Sequence, residues 1–596
     1  MKCTLAHYLK TRMEQLGLDR LFGVAGNYTA PLLNTILADK NSPIIITHNA
    51  NELCAGYACD AYARLKGIGA LHVTYSVGAF SLLNSIAGAF VEQVPLLLIN
   101  GAPSNKENAV EQNAGLLYAH TTGDKMTDIN VFRPVTVAAE RISDAQRGTY
   151  QIDSALTAML TYKGPVYLEI TEDCWRAECQ APVGLLRSGA EATISVSQTE
   201  QAVAAAMTLI RSKKKCIFWA GIELQRHRLT EPFLKLINTV NKNLLPGMDA
   251  VHFVTTPLSK SVVSEDHKYF EGCVTLSNTQ IQKLVGTDGC VIGLGAWTTG
   301  KDTGNQNIRS ANSILAAHHG AWVGADFLPI VSLESFIKAL DLAFSNWAEE
   351  TRNAQLQGLR IPGSTALLDG TALMPDSGLT YDTFFNVLNA WISKEDVVVV
   401  DAGFPLVGAQ GLKIVAQDGF VAQAAWLAIG YSVAAGTGVK CAKPDKRAVV
   451  IVGDGAFQET CQAVSDHHAN GQNTIVFVLV NGLYGIEQEI VNPNPFRSPV
   501  VDYRDKMLDS VYPYNILPRW KYDKIPEVFG GIGRKAANTV ELEAILREIR
   551  ATPESNFVVE ITIPEVDVPD AIRARIDANV GEDEIENPGW PPIGVY

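Results

Sequence analysis

Two short apolar runs, Ala448 to Val452 and Ile475 to Val480, are joined by a helix-length segment, and each ends in a polar residue beside glycine. The first continues as Gly453-Asp454-Gly455-Ala456, and the second closes on Asn481-Gly482. Short, β-branched, uninterrupted runs are the pattern of strands buried on both faces of a parallel sheet. A strand–helix–strand unit of this kind puts Asp454 and Asn481, 27 positions apart, at the carboxyl ends of two parallel strands. Open α/β sheets bind ligands at that edge. Gly453 and Gly455 flank the aspartate, so the backbone can turn tightly and a ligand can come close. A carboxylate and an amide oxygen suit Mg²⁺ shared with a diphosphate, because Mg²⁺ holds near-octahedral geometry and takes phosphate oxygens.

The same alternation of strand and helix runs through the chain. Leu21 to Val24, Pro43 to Thr47, Gly69 to Thr74, Leu96 to Asn100 and Val166 to Ile170 read as strands; so do Lys215 to Ala220, Cys290 to Leu294, Val397 to Asp401 and Phe557 to Ile563. A chain of 596 residues exceeds one hydrophobic core. The expected fold class is α/β, with three doubly wound parallel-sheet domains over residues 1–182, 196–350 and 372–565. Stretches of small and polar or Gly/Pro-bearing composition, Gly184 to Ser195 and Gln357 to Pro375, separate them. The tail, 566–596, reads as irregular, either a disordered end or a segment draped over the body.

The net charge of −14 disfavours nucleic acid and anionic membranes as partners. No apolar run approaches the ~20 residues of a spanning helix, and the N-terminus lacks the apolar core of a signal peptide. Ten cysteines without a CxxC pair fit reduced thiols. A cytoplasmic location is expected.

The Gly-Asp-Gly, the length of the gap and the closing Asn resemble the metal-diphosphate motif of thiamine diphosphate enzymes. Two N-terminal segments, Thr47 to Arg64 and Thr74 to Pro95, resemble the pyrimidine-binding domain of the pyruvate decarboxylase and indolepyruvate decarboxylase group, and the stretch Tyr484-Gly-Ile-Glu487 extends the likeness. The resemblance spans the whole chain and implies a pyrimidine-binding, a central and a diphosphate-binding domain in that order. It implies thiamine diphosphate and Mg²⁺ as cofactors, with Asp454, Asn481 and the carbonyl of Leu483 as metal ligands. It sets Thr74, Gly403, Gly453, Gly455 and Ala456 along the cofactor, Ile429 as the apolar wedge between its rings, and the carbonyl of Leu427 as acceptor for the 4′-amino group. Glu52 corresponds to the carboxyl that shares a proton with the pyrimidine ring, so that C2 of the thiazolium loses its proton, attacks a ketone and accepts the electron pair left by CO₂. Alone, Glu52 is an ordinary helix N-terminal glutamate favoured by the macrodipole; with Asp454 and Asn481 beside it in the pattern, the functional reading prevails. Family active sites form between subunits, which implies a homodimer or homotetramer.

Departures from the pattern bear on the product. Asn27 stands where the group has an acidic residue, and Ala119-His120 keeps only the second of two histidines, whereas Glu487 is retained. The group usually has glycine where this chain has Leu427. An amide can hydrogen-bond but cannot relay a proton at neutral pH. CO₂ loss is therefore provided for, while aldehyde release has lost part of its relay. Two outcomes stay open: decarboxylation of a 2-oxo acid to an aldehyde, and passage of the carbanion to a second carbonyl, an aldehyde or 2-oxo acid acceptor, giving an acyloin. A non-catalytic scaffold is disfavoured by the survival of Glu52, Asp454 and Asn481.

Other patterns have plainer readings. Gly293-Leu-Gly295 begins like a dinucleotide fingerprint, but Thr298 occupies the third glycine position. The pairs His318-His319 and His467-His468 diverge in direction and need further ligands to bind zinc. Cys54 and Cys59 read as packing residues.

Overall fold

The apolar runs assemble into three main sheets in the computed structural model, which describes residues 2–189, 195–213, 215–243, 250–350, 378–498 and 510–578. The connection Gln357 to Pro375, part of the Gly184 to Ser195 linker and the tail beyond 578 lie outside the described residues. Among the described residues no helix is long and apolar enough to cross a membrane.

The N-terminal sheet has six strands, in the spatial order Ile45–His48, Arg20–Gly23, Gly69–Thr74, Leu96–Ala102, Val166–Thr171, Ala138–Ile142. The C-terminal sheet also has six, ordered Phe420–Ala422, Asp396–Val400, Arg447–Gly453, Ile475–Val480, Phe557–Thr562, Ile532–Ala536. All neighbours in both are parallel. Numbered by sequence within each sheet, both read second, first, third, fourth, sixth, fifth.

The central sheet has seven strands. Its parallel part holds Phe270–Cys273, Phe253–Thr255, Cys216–Ala220, Cys290–Leu294 and Ser313–Ala317. The last two strands, Gly320–Val323 and Asp326–Leu328, are antiparallel, unlike the parallel arrangement expected from the sequence. Links this short admit only hairpins, because a parallel crossover needs a dozen residues or more. His318 and His319 form the two-residue loop that closes Ala317 against Gly320.

The tail departs from its expected irregularity. Asp570–Ala578 is a helix that buries Ile572 and Ile576, one turn apart, in the C-terminal core. Arg573 donates to the Phe496 carbonyl at 2.6 Å, and Arg575 pairs with Glu489 at 2.7 Å. The i, i+4 isoleucine spacing is the helical signal; polar neighbours mask it in composition.

One helix pair joins the outer sheets. Helix Glu52–Lys66 is capped by Asn51, whose side chain accepts from the Cys54 amide, and it ends at Gly67 in the left-handed region. It lies against helix Tyr431–Ala442 so closely that a methyl group on Gly438 would sit 1.9 Å from the Ala58 carbonyl oxygen. Cys54, Tyr57 and Ala61 share a core with Tyr431, Val433, Ala434 and the valines of the C-terminal sheet. The ten cysteines are free thiols.

Candidate active site

The carboxyl edge of the C-terminal sheet holds the first group of expected residues. Asp454 opens helix Asp454–Thr460 straight after strand Arg447–Gly453, and Asn481 follows the neighbouring strand. The Asp454 carboxylate accepts from the Gly455 amide at 3.0 Å and the Gly482 amide at 2.7 Å. Burial pushes its pKa up to about 6, against the pull of those donors. Each oxygen keeps a free lone pair. Asn481 Oδ1 accepts from the Leu483 amide at 3.2 Å, while its buried Nδ2 has no partner among the described residues. The Asp454 carboxylate has no ion pair among the described residues, although the charge of Arg519 pulls its pKa down; with the Asn481 side-chain oxygen and the Leu483 carbonyl it makes a set of hard oxygen donors that fits a divalent cation.

The two glycines around Asp454 differ. A methyl group on Gly453 would meet nothing nearer than Pro405 at 3.8 Å, whereas one on Gly455 would lie 2.4 Å from the Tyr484 ring. A methyl group at Gly453 would thus make only an ordinary contact, whereas packing against Tyr484 requires glycine at position 455. Gly403 has φ 95°, and a methyl group there would make ordinary contacts with Ile486 and Pro405 at 3.7 Å; Ala456 is buried against the core shared by the helix pair. Glu487 lies exposed in the first turn of helix Gly485–Val491.

The loop before helix Tyr431–Ala442 carries Leu427 and Ile429. Leu427 has φ 61°, the left-handed conformation that glycine tolerates and a branched side chain does not. Its side chain packs on the C-terminal core, which is where it finds room. Ile429 is 39% exposed.

The second group gathers on the N-terminal sheet. Glu52 Oε1 lies 3.3 Å from the point a methyl group on Gly78 would occupy, and Thr74 Cγ2 lies 3.2 Å from it. The buried Thr74 hydroxyl has no partner among the described residues. Gly26 abuts the side chain of Thr74, which brings exposed Asn27 to the same edge. Tyr75 donates to the Ala119 carbonyl, and its ring stands 5.9 Å from that of His120, itself at φ 74°. Glu52 and Thr74 therefore meet at Gly78, while Asn27 follows Gly26 beside Thr74 and His120 stands against Tyr75. Glu52 makes no hydrogen bond to Asp454 or Asn481 among the described residues, so the expected site residues form two groups within one chain.

Residues outside the sequence expectations tie these groups to their supports. Arg64 lies between Asp60 and Glu92, 2.6 Å from each. The other Glu92 oxygen accepts from the amides of Ala425 and Trp426 at 2.8 and 2.9 Å, fixing the start of the Leu427 loop. Asn49 donates to Asp466 at 3.3 Å, tying the turn before Glu52 to the C-terminal unit. Charges inside small, apolar helical stretches were the available signal for Arg64 and Glu92; Asp466 gave none. His467 is buried and donates to the Val433 carbonyl at 2.9 Å, a structural role.

Residues 3–127 match the family model described as the thiamine pyrophosphate enzyme N-terminal TPP binding domain, and residues 401–561 match the C-terminal TPP binding domain. The chain is similar to a probable pyruvate decarboxylase of Schizosaccharomyces pombe, 26% identical, covering 95% of this chain and 94% of the relative. It is 26% identical to an alpha-keto-acid decarboxylase of Mycobacterium leprae over 98% of both chains, and 28% identical to pyruvate decarboxylase 4 of Arabidopsis thaliana over 91% of this chain and 85% of the relative. Among solved structures, a putative thiamin diphosphate-dependent enzyme from Mycobacterium smegmatis shares the fold with a TM-score of 0.73 at 18% identity, over 95% of this chain and 100% of that one.

Proposed function

We propose that this chain, which belongs to the thiamine pyrophosphate enzymes, decarboxylates a 2-oxo acid with the help of thiamine diphosphate and Mg²⁺. The observation that supports the reading most is the buried Asp454 carboxylate at the edge of parallel strands, bonded to the Gly482 amide next to Asn481 and without an ion pair among the described residues. Asp454, Asn481 and the Leu483 carbonyl would hold the metal and, through it, the diphosphate. Thiamine diphosphate, when bound, supplies the nucleophilic carbon and the electron sink for CO₂ loss. Glu52 would hold and return a proton at the pyrimidine ring, beside the free hydroxyl of Thr74. Ile429 and the Leu427 carbonyl would orient the rings. The balanced reaction takes one 2-oxo acid anion and one proton to an aldehyde and CO₂.

A second reading has its own observation. Asn27 and Ala119 are two positions near Thr74 and His120 whose side chains cannot relay a proton, which would weaken proton delivery to the product. Joining the same carbon to a second carbonyl would then compete, giving an acyloin. Apolar side chains exposed beside both groups, Val77 at 55%, Leu117 at 67% and Trp426 at 37%, favour a homodimer or homotetramer in which a partner completes each site. Its ten free thiols suit the cytoplasm.

The test is a screen of 2-oxo acids with and without added aldehydes, read by CO₂ release and mass spectrometry. Cofactor-dependent CO₂ is the expected result. Aldehyde as product supports the first reading and a hydroxyketone the second; no CO₂ from any 2-oxo acid by cofactor-loaded protein rejects both.

A further inference from the structure

The loop between Trp426 and Ser432 is held at its far end by residues that lie well away from it in sequence. Asp401 follows strand Asp396–Val400 and is fully buried. One carboxylate oxygen accepts from the Gly430 amide at 3.1 Å and the Ala402 amide at 3.1 Å. The other accepts from the Ser432 amide at 2.8 Å and the Ser432 hydroxyl at 2.7 Å. Gly430 is gripped from its other side as well. Thr460, the last residue of the helix that Asp454 opens, donates its hydroxyl to the Gly430 carbonyl at 2.7 Å.

Gly430 has φ 81°, and a methyl group there would lie 2.8 Å from Glu459 Cβ. Its place is therefore set by backbone conformation, by both of its own polar groups and by contact with helix Asp454–Thr460. At the other end of the loop, Glu92 holds the amides of Ala425 and Trp426. Leu427, Ala428 and Ile429 are what remains between two fixed ends.

No buried cation pairs with Asp401 among the described residues. A buried carboxylate is costly unless its lone pairs are used. Here four donors use them, three on the loop-to-helix turn Gly430–Ser432 or its side chain. The cost of burying this charge is thus tied to the shape of one turn.

We propose that Asp401 and Thr460 are positioning residues, a two-sided clamp on Gly430 that sets the Leu427–Ile429 loop relative to the helix carrying Asp454. This rests on the reaction proposed above, in which the loop would meet the rings of the cofactor and the helix would hold its diphosphate through the metal; the clamp would then fix the distance between the two functions. Misplacing a bound group by an ångström can slow a reaction about a hundredfold without loss of binding.

The test compares the wild type with Asp401→Asn, Thr460→Val and Thr460→Ser, each as the full chain. Asparagine keeps the shape of Asp401 but points an NH₂ at donors. Valine keeps the shape of threonine without its hydroxyl, and serine restores the hydroxyl. Backbone amide exchange over the peptide spanning Gln423 to Ser432 is read by mass spectrometry without cofactor. Thiamine diphosphate affinity in excess Mg²⁺ and deuterium exchange at cofactor C2 are then measured. Asp401→Asn and Thr460→Val should speed loop exchange and slow C2 exchange roughly tenfold to a hundredfold, while affinity moves less than about threefold and Thr460→Ser behaves as wild type. A merely structural role would lower affinity and C2 exchange together, and that result would overturn the proposal. So would wild-type rates of loop exchange in the cofactor-free variants together with wild-type C2 exchange in the loaded ones. If Asp401→Asn does not fold, the valine–serine pair decides alone. A wild type that binds no thiamine diphosphate defeats the reaction itself, whereas binding with unchanged exchange defeats only the clamp.

Discussion

The guanidinium of Arg64 lies 2.6 Å from the carboxylate of Glu92, and both side chains are buried. Arg64 also holds Asp60 and donates to the Ala422 carbonyl at 3.1 Å, so one side chain spans the N-terminal helices and the first turn of the Leu427 loop. Removing one member of a buried ion network strands the others. Arg64→Met should cost about 3–5 kcal/mol in denaturant unfolding. A loss below about 1 kcal/mol would mean the two carboxylates find protons or water instead.

Gly438 should reverse an ordinary rule. Glycine to alanine inside a helix usually gains up to about 1 kcal/mol. Here the added methyl would overlap the Ala58 carbonyl, and the two helices would have to part. We expect Gly438→Ala to lose about 1–2 kcal/mol net. A more stable variant in a thermal melt would show that this helix contact yields easily.

The two groups of site residues should separate in binding experiments. Asp454→Ala removes the charged metal ligand and should weaken thiamine diphosphate affinity in excess Mg²⁺ by about a hundredfold or more. Glu52→Gln keeps a hydrogen-bonding group that cannot share its proton, so affinity should hold while C2 exchange slows by roughly two orders of magnitude or more. Equal affinities for Asp454→Ala and wild type would remove the Gly-Asp-Gly turn as the anchor.

His467 gives a pH dependence with a defined sign. Burial holds its imidazole at about 4, below the usual 6.5. The unfolded chain therefore takes the proton first as pH falls. The contribution of neutral His467 is complete above pH 6.5 and is lost as pH drops from there through about 4. His467→Gln can still donate to the Val433 carbonyl but does not titrate. Between pH 7 and pH 4 the wild type should lose about 3 kcal/mol more than the variant. Parallel pH profiles of unfolding free energy would contradict this.

Product partition tests the altered relay. Asn27→Asp combined with Ala119→His adds groups able to exchange protons beside His120 and Tyr75. Given one 2-oxo acid and an acceptor aldehyde, the double variant should raise the ratio of aldehyde to acyloin. Coupling among the new groups makes direction more informative than size. A wild type that releases only aldehyde would end the acyloin reading; an unchanged ratio in a loaded double variant would show that these positions do not set the partition.

Buried strands were legible because they are apolar throughout: Gly69–Thr74, Cys290–Leu294 and Ile475–Val480 have the bounds their sequence suggests. Ala138–Ile142 and Ile532–Ala536 were not, since each is the edge strand of its sheet and carries charge where one side meets solvent. The left-handed turn at Leu427 could be suspected only because glycine is expected there. The supports of the site were hidden for another reason. Glu92 meets Ala425 across 333 positions, and Asp401 meets Gly430 by an arrangement of turns that local pattern does not encode.

The strand order shared by the outer sheets makes the chain its own control experiment. After the first strand one copy has Asn27 and the other Asp401; at the end of the third, one has Thr74 and the other Asp454. After the second strand, one copy leads into the helix opened by Glu52 and the other into the loop bearing Ile429. At these three corners the same strand order carries different chemistry. Exchanging residues between counterparts asks what each corner of the fold demands of its occupant, without borrowing a residue from any other protein.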